Sequence, residues 1–160
     1  MSVRLSAVIK APNGYLLAVR QDLPDGTHRH LLPGRGVDDT EGPFEDALRR
    51  ALREQANLNT TIGALISIDK TGVDDEYVFI AHIDGDNSVS GDFTERLPPA
   101  PGGCSWNCIE LTPAAVHDAN FTPKGVRYLL AGHLRHGQKP WALADIRSRP
   151  PATRRHHKAR

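Results

Sequence analysis

The segment LLPGRGVDDTEGPFEDALRRALREQANL, from Leu31 to Leu58, gathers charge of both signs around a glycine-bearing loop. Asp38, Asp39, Glu41 and Glu54 offer oxygens to a hard cation such as Mg2+, which often needs only one or two carboxylates beside water and substrate oxygens. Arg35 and Arg50 carry planar guanidinium groups that match either a carboxylate or a phosphate. The second half of the segment reads as a helix. Pro43 stands just upstream, Glu45 and Asp46 place negative charge at the positive end of the helix dipole, and Leu48 and Leu52 form an apolar stripe four residues apart. The 3.6-residue period puts Ala47, Ala51, Glu54 and Gln55 on the neighbouring strip, so one carboxylate and one amide share it with two methyl groups. Taken alone, the loop acids also fit a solvated turn that starts a helix.

These residues resemble the signature of the Nudix family, G-x5-E-x7-R-E-U-x-E-E-x-G-U with U a bulky aliphatic residue, with most of the acid removed. Arg50-Ala51-Leu52-Arg53-Glu54-Gln55-Ala56-Asn57-Leu58 falls on its C-terminal end and keeps the arginine, both aliphatic positions and one glutamate. Asn57 takes the glycine position, where a helix commonly ends in a left-handed residue. Leu32 to Asp38 followed by Glu41 is similar to the family's L-P-G-G-x-V-E-x-G-E, but one residue out of step with the helix. A one-residue insertion around Thr40 to Pro43 reconciles the two ends. In that register the three helical carboxylates of an active relative fall on Ala51, Glu54 and Gln55, and only Glu54 remains an acid. A unit charge pair at contact is worth about 4 kcal/mol at an effective dielectric of about 20. Two missing carboxylates therefore imply a loss of several powers of ten in metal affinity.

The resemblance implies an α/β chain, an α/β/α sandwich with a mixed β-sheet over residues 1–146. It implies a divergent hydrolase cleaving a phosphoanhydride in a nucleoside-diphosphate-linked or other phosphorylated small molecule. Glu54, Glu41 and Glu95 are the expected catalytic acids, with Asp92 second to Glu95 in the long polar loop from Gly85 to Gly103. Glu54 and Glu41 are the expected ligands of a weakly held Mg2+ or Mn2+. Arg29, His30, Arg35, Arg50 and Gln55 are expected to bind substrate, with Arg50 also orienting Glu41 and Arg35 able to pair with Asp38 or Asp39 instead. Two other readings stand beside this one: a module that kept the pocket and lost turnover, and an enzyme of the same fold running non-phosphate chemistry.

The elements that would hold these groups are legible as apolar runs. Val3 to Ile9 and Tyr15 to Val19, joined by Pro12-Asn13-Gly14, read as a hairpin. Thr60 to Ile68, Tyr77 to Ile83 and Trp106 to Leu111 are candidate strands, and Phe121 to Leu130 resembles the family's closing helix. If His30 lies in a strand, His28 shares its face and Arg29 points the other way.

At 160 residues and 39% hydrophobic, the chain suits one domain with a proper core. Neither a signal peptide nor a membrane span is recognisable, so a cytoplasmic location is the expectation. The formal charge of +1 conceals a division. Arg147 to Arg160 holds six of the twenty basic residues and none of the acids, which leaves fourteen basic against nineteen acidic residues elsewhere, a net of −5. This basic tail, 147–160, reads as disordered and lacks interleaved aromatics, so nucleic acid is a disfavoured partner. The expected partner is a phosphorylated small molecule; a homodimer is compatible with the resemblance, and nothing in the sequence fixes the oligomeric state. Cys104 and Cys108 form a C-x3-C pair too sparse for a zinc site and read as free thiols. A nucleophilic role would need a base such as His117 or His133.

Overall fold

A computed structural model describes residues 2–38, 40–85 and 93–148. Strand β1 (Val3–Ile9) is buried at every position but Arg4 and lies inside a four-stranded sheet, antiparallel to β4 (Gly34–Val37) and parallel to β6 (Asp75–Ile83), with β5 (Thr60–Asp69) beyond β6. A second, antiparallel sheet runs β3–β2–β7, from β2 (Leu16–Asp22), β3 (His28–Leu31) and β7 (Ser105–Ile109). The expected hairpin holds only at its tip, where Lys10 bridges Leu16 in antiparallel and the Ala11 N–H reaches the Tyr15 carbonyl; beyond that the two strands belong to different sheets. Both edges of β1 are taken by β4 and β6, so the turn at Asn13-Gly14 carries the chain across to the other sheet. Asn13 still makes that turn, its side-chain oxygen accepting from the Tyr15 amide at 3.0 Å, with Gly14 at φ 87°.

The alternation of β1 sorts the core into two layers. Leu5, Ala7 and Ile9 pack with Phe79 and Ala81 of β6 against helix α1 (Phe44–Ala56), which contributes Ala47, Leu48, Leu52 and Ala56. Val8, Val78 and Ile80 face the opposite way, toward Leu16 and Ala18 of β2 and toward helices α2 (Pro113–Ala119) and α3 (Lys124–Arg135). This is the α/β/α sandwich with a mixed sheet. The closing helix begins three residues later than Phe121, and α2, unread in the sequence, precedes it. Helix α1 ends as expected, on Asn57 in the left-handed region (φ 54°), whose N–H returns to the Arg53 carbonyl while the Leu58 N–H returns to that of Leu52.

The fold extends past residue 146. Arg147 bonds Asp145 at 2.8 Å and Glu45 of α1 at 2.9 Å, and its guanidinium lies 5.6 Å from the Phe79 ring centre. These contacts hold the Asp145 carboxyl well below the ordinary aspartate range, the Arg147 hydrogen bond being the chief cause. The first residue of the expected basic tail is thus part of the domain, while 149–160 fall outside the described residues. No helix among the described residues is long and apolar enough to cross a membrane.

Candidate ligand-binding cleft

Strand β4 alternates glycine with larger side chains. Gly34 and Gly36 pair with Ser6 and Arg4 of β1, and Arg35, opposite Leu5, projects to the α1 side. A Cβ on Gly34 would stand 1.8 Å from the Leu5 carbonyl oxygen, so only glycine admits this approach. Where the edge of β4 meets the second sheet, a cleft of about 460 Å3 opens. Arg4, Arg29 and Arg35 line it together with Gln21, Gln55 and Cys104.

Each arginine is steered by a neighbour. Arg29 Nε donates to Gln21 Oε1 at 2.6 Å across the β2–β3 pair. Arg4 donates to the Leu32 carbonyl at 2.9 Å and lies 3.8 Å from Glu76, a buried carboxylate that also accepts from the Ser6 hydroxyl at 2.7 Å. Arg35 sits between the two acids singled out in the sequence, 2.6 Å from Glu41 and 3.9 Å from Glu54. Asp38, one of its alternative partners, is instead engaged by Thr40 in a local turn, while Asp39 falls outside the described residues.

Burial pushes the Glu76 carboxyl above the ordinary glutamate range, more than Ser6 and Arg4 pull it back. A raised folded-state pKa gives stability that is fully present below the unfolded value, about 4.3, and is lost as pH rises through the folded value. Glu76→Gln should remove that segment of the pH dependence while leaving neutral-pH stability equal to or above the parent's. Urea unfolding from pH 4 to 8 measures both, and an unchanged slope would show that Glu76 is not the group responsible.

The expected site residues do not all meet. Gln55 enters the cleft, its Nε2 donating to the Gly34 carbonyl at 3.0 Å. Glu54, the next residue back, turns outward, with its side chain 65% exposed in a separate groove of about 590 Å3 shared with Arg49, Arg50 and Arg53. Arg50 is exposed and reaches the backbone carbonyl of Glu41 at 3.1 Å rather than its carboxylate, which Arg35 has taken. Glu95 is exposed on a 3-10 turn, Phe93–Arg96, and does not line the cleft; Asp92 falls outside the described residues.

His30 is corrected outright. It is 2% exposed and faces the core, with Nδ1 donating to the Ala119 carbonyl at 2.7 Å and Nε2 accepting from Asn107 at 3.1 Å. Those two bonds require the neutral Nδ1–H tautomer, and burial lowers its pKa in the same sense. Alternation places Arg29 at the cleft and His30 on the opposite face, against Phe121.

Arg4 and Gln21 were missed by the sequence reading. The signal for Arg4 was a lone cation inside the apolar run Val3 to Ile9. Gln21 carried no comparable sign. Cys104 was noted, though not as a lining residue; among the described residues neither cysteine is in a disulfide.

The donor set can be tested against the divalent cation that the resemblance implies. Among the described residues no three histidine, cysteine, aspartate or glutamate side chains converge as metal ligands would. The third strip position, Ala51, is wholly buried, Gln55 presents its NH2 to the loop carbonyl, and Glu41 and Glu54 face a guanidinium. The described residues do not fit a resident dication.

No family model matches the chain, and no curated protein matches it. Solved structures do. The chain is similar to the ORF135 protein of E. coli (TM-score 0.58, 19% identity, 88% of this chain and 94% of that one). It is similar to the MutT protein of Methanosarcina mazei Go1 (0.58, 15%, 86% and 95%) and to a NUDIX hydrolase from Nitrosomonas europaea (0.55, 18%, 94% and 96%). Identities this low establish architecture alone. The fold of this chain is the Nudix hydrolase fold.

Proposed function

We propose that the cleft between β4 and the β3–β2 sheet binds a phosphorylated small molecule, with a diphosphate as the group recognised. The observation that carries this reading is that three arginines, Arg4, Arg29 and Arg35, line one concave surface. Arginine forks match phosphate oxygens in pairs, and each charged hydrogen bond contributes about 1.5–3 kcal/mol. Gln21 and Gln55 add uncharged polar contacts suited to the rest of a nucleoside-diphosphate-linked ligand.

Hydrolysis of the phosphoanhydride is the second reading. It is favoured by Glu54, whose side chain is 65% exposed and only loosely paired to Arg35 at 3.9 Å, leaving its carboxylate open to water. Glu41 is the less available acid, being held by Arg35 at 2.6 Å. Calorimetric titration with inorganic pyrophosphate tests the first reading: Arg29→Ala should weaken binding at least tenfold. Equal affinity in the variant and the parent would remove the cleft from consideration. Incubation with nucleoside-diphosphate sugars and dinucleotides, with Mg2+ and with Glu54→Gln as control, tests the second. Phosphate or nucleotide release lost in that variant supports hydrolysis, and intact ligand leaves a binding module.

A further inference from the structure

We propose that Arg35 and Gln55 stand in for a divalent cation, making this cleft an anion site that works without metal. The inference deepens the diphosphate reading and rests on it for the ligand, but its structural half is independent of any ligand.

Two local arrangements support it. A glutamate at position 55 would set a carboxylate against the Gly34 carbonyl, two acceptors that a cation between them would reconcile. The amide of Gln55 resolves the conflict internally by donating Nε2–H to that carbonyl at 3.0 Å. One step away, Glu41 and Glu54 converge from the loop and from α1, again two anions that call for positive charge between them. Arg35 supplies it, held firmly by Glu41 at 2.6 Å and only loosely by Glu54 at 3.9 Å. The positions that would hold a metal are thereby closed by one covalently tethered cation and one neutral donor.

The remaining polar atoms of these side chains agree. Arg35 Nε and Gln55 Oε1 are both buried and, among the described residues, lack a hydrogen-bond partner. They are two of four such atoms among the described residues, and both belong to residues lining this cleft. Half of the unpaired buried polar atoms among the described residues thus sit on the two side chains that take the cation's place.

Two titrations decide the matter. Mn2+ binding followed by electron paramagnetic resonance should show little uptake by the parent at 1 mM, whereas the double variant Arg35→Ala with Gln55→Glu should bind at least tenfold more tightly. Pyrophosphate affinity of the parent should agree within twofold in excess EDTA and in Mg2+. Stoichiometric Mn2+ uptake by the parent, or pyrophosphate binding only with Mg2+, would overturn the proposal. So would a folded double variant with unchanged Mn2+ affinity; its circular dichroism spectrum and unfolding midpoint establish folding. Should the double variant not fold, Arg35→Ala alone carries the comparison, because it frees Glu41 and Glu54 for a cation; Mn2+ affinity equal to the parent's would then overturn the proposal. If pyrophosphate binds under neither condition, the diphosphate reading fails while the Mn2+ arm still decides whether the cation's place is filled.

Discussion

Gly34→Ala should destabilise the protein by about 3 kcal/mol or more, the sum of an overpacking cost of about 1–3 kcal/mol and a backbone cost of about 1–2 kcal/mol. The added Cβ would meet the Leu5 carbonyl oxygen at 1.8 Å, its carbon at 2.8 Å and the Ser6 Cα at 2.9 Å, all backbone atoms of the neighbouring strand. The residue's φ of 156° adds strain of its own. Relief would require β4 to part from β1, carrying away both the carbonyl that receives Gln55 and the strand that presents Arg35. Gly36→Ala is the matched control. Its new Cβ would have Val3 O at 3.8 Å as its nearest contact, so its cost should stay within about 0.5 kcal/mol. Chemical denaturation of the two variants measures the difference, and similar losses would show that the β1–β4 approach is looser than described.

Ala51→Glu is expected to cost about 1 kcal/mol at pH 5 and about 4 kcal/mol at pH 8. Ala51 lies on the buried face of α1, and full burial raises a carboxyl by about three units at roughly 1.4 kcal/mol each. The sign follows from linkage: with the folded pKa raised, the unfolded state releases its proton first, so stability falls as pH rises from the unfolded value through the folded one. The result bears on the resemblance itself, because an active relative carries glutamate at this position of the strip. Rebuilding all three carboxylates with Ala51→Glu and Gln55→Glu therefore meets a desolvation obstacle at 51 that helix propensity does not reveal. Unfolding at the two pH values tests this, and a variant as stable as the parent at pH 8 would mean that position 51 opens onto solvent or a counter-charge.

The parts of this fold that local chemistry determines were legible beforehand. Asn57 closes α1 in the left-handed region because a helix end needs that conformation and asparagine tolerates it. Leu48 and Leu52 lie on the buried stripe, and β5, β6 and β7 appear within two residues of the apolar runs that announced them. The parts decided by non-local pairing were not legible. Asn13-Gly14 makes its turn whether the following strand doubles back or crosses to another sheet, and what decides is that β4 and β6 occupy both edges of β1. Arg35 had several acids within reach of its loop, and the choice of Glu41 and Glu54 required the position of α1. His30 was placed on the correct strand and on the same face as His28, but only the packing of Phe121 and Ala119 against that face shows it to be the interior one.

Glu54 and Gln55 are adjacent in the sequence and open onto different surfaces, the first onto the groove with Arg49, Arg50 and Arg53, the second onto the cleft with Arg4, Arg29 and Arg35. A ligand must therefore choose between them, and amide chemical shifts report its choice directly. Titration of 15N-labelled protein with inorganic pyrophosphate in EDTA should move the amides of Arg4, Arg29 and Gly34 to Gly36, together with the side-chain NH2 of Gln55. Shifts confined to Arg49, Arg53, Asn59 and Asp84, with the cleft residues unmoved, would contradict the account.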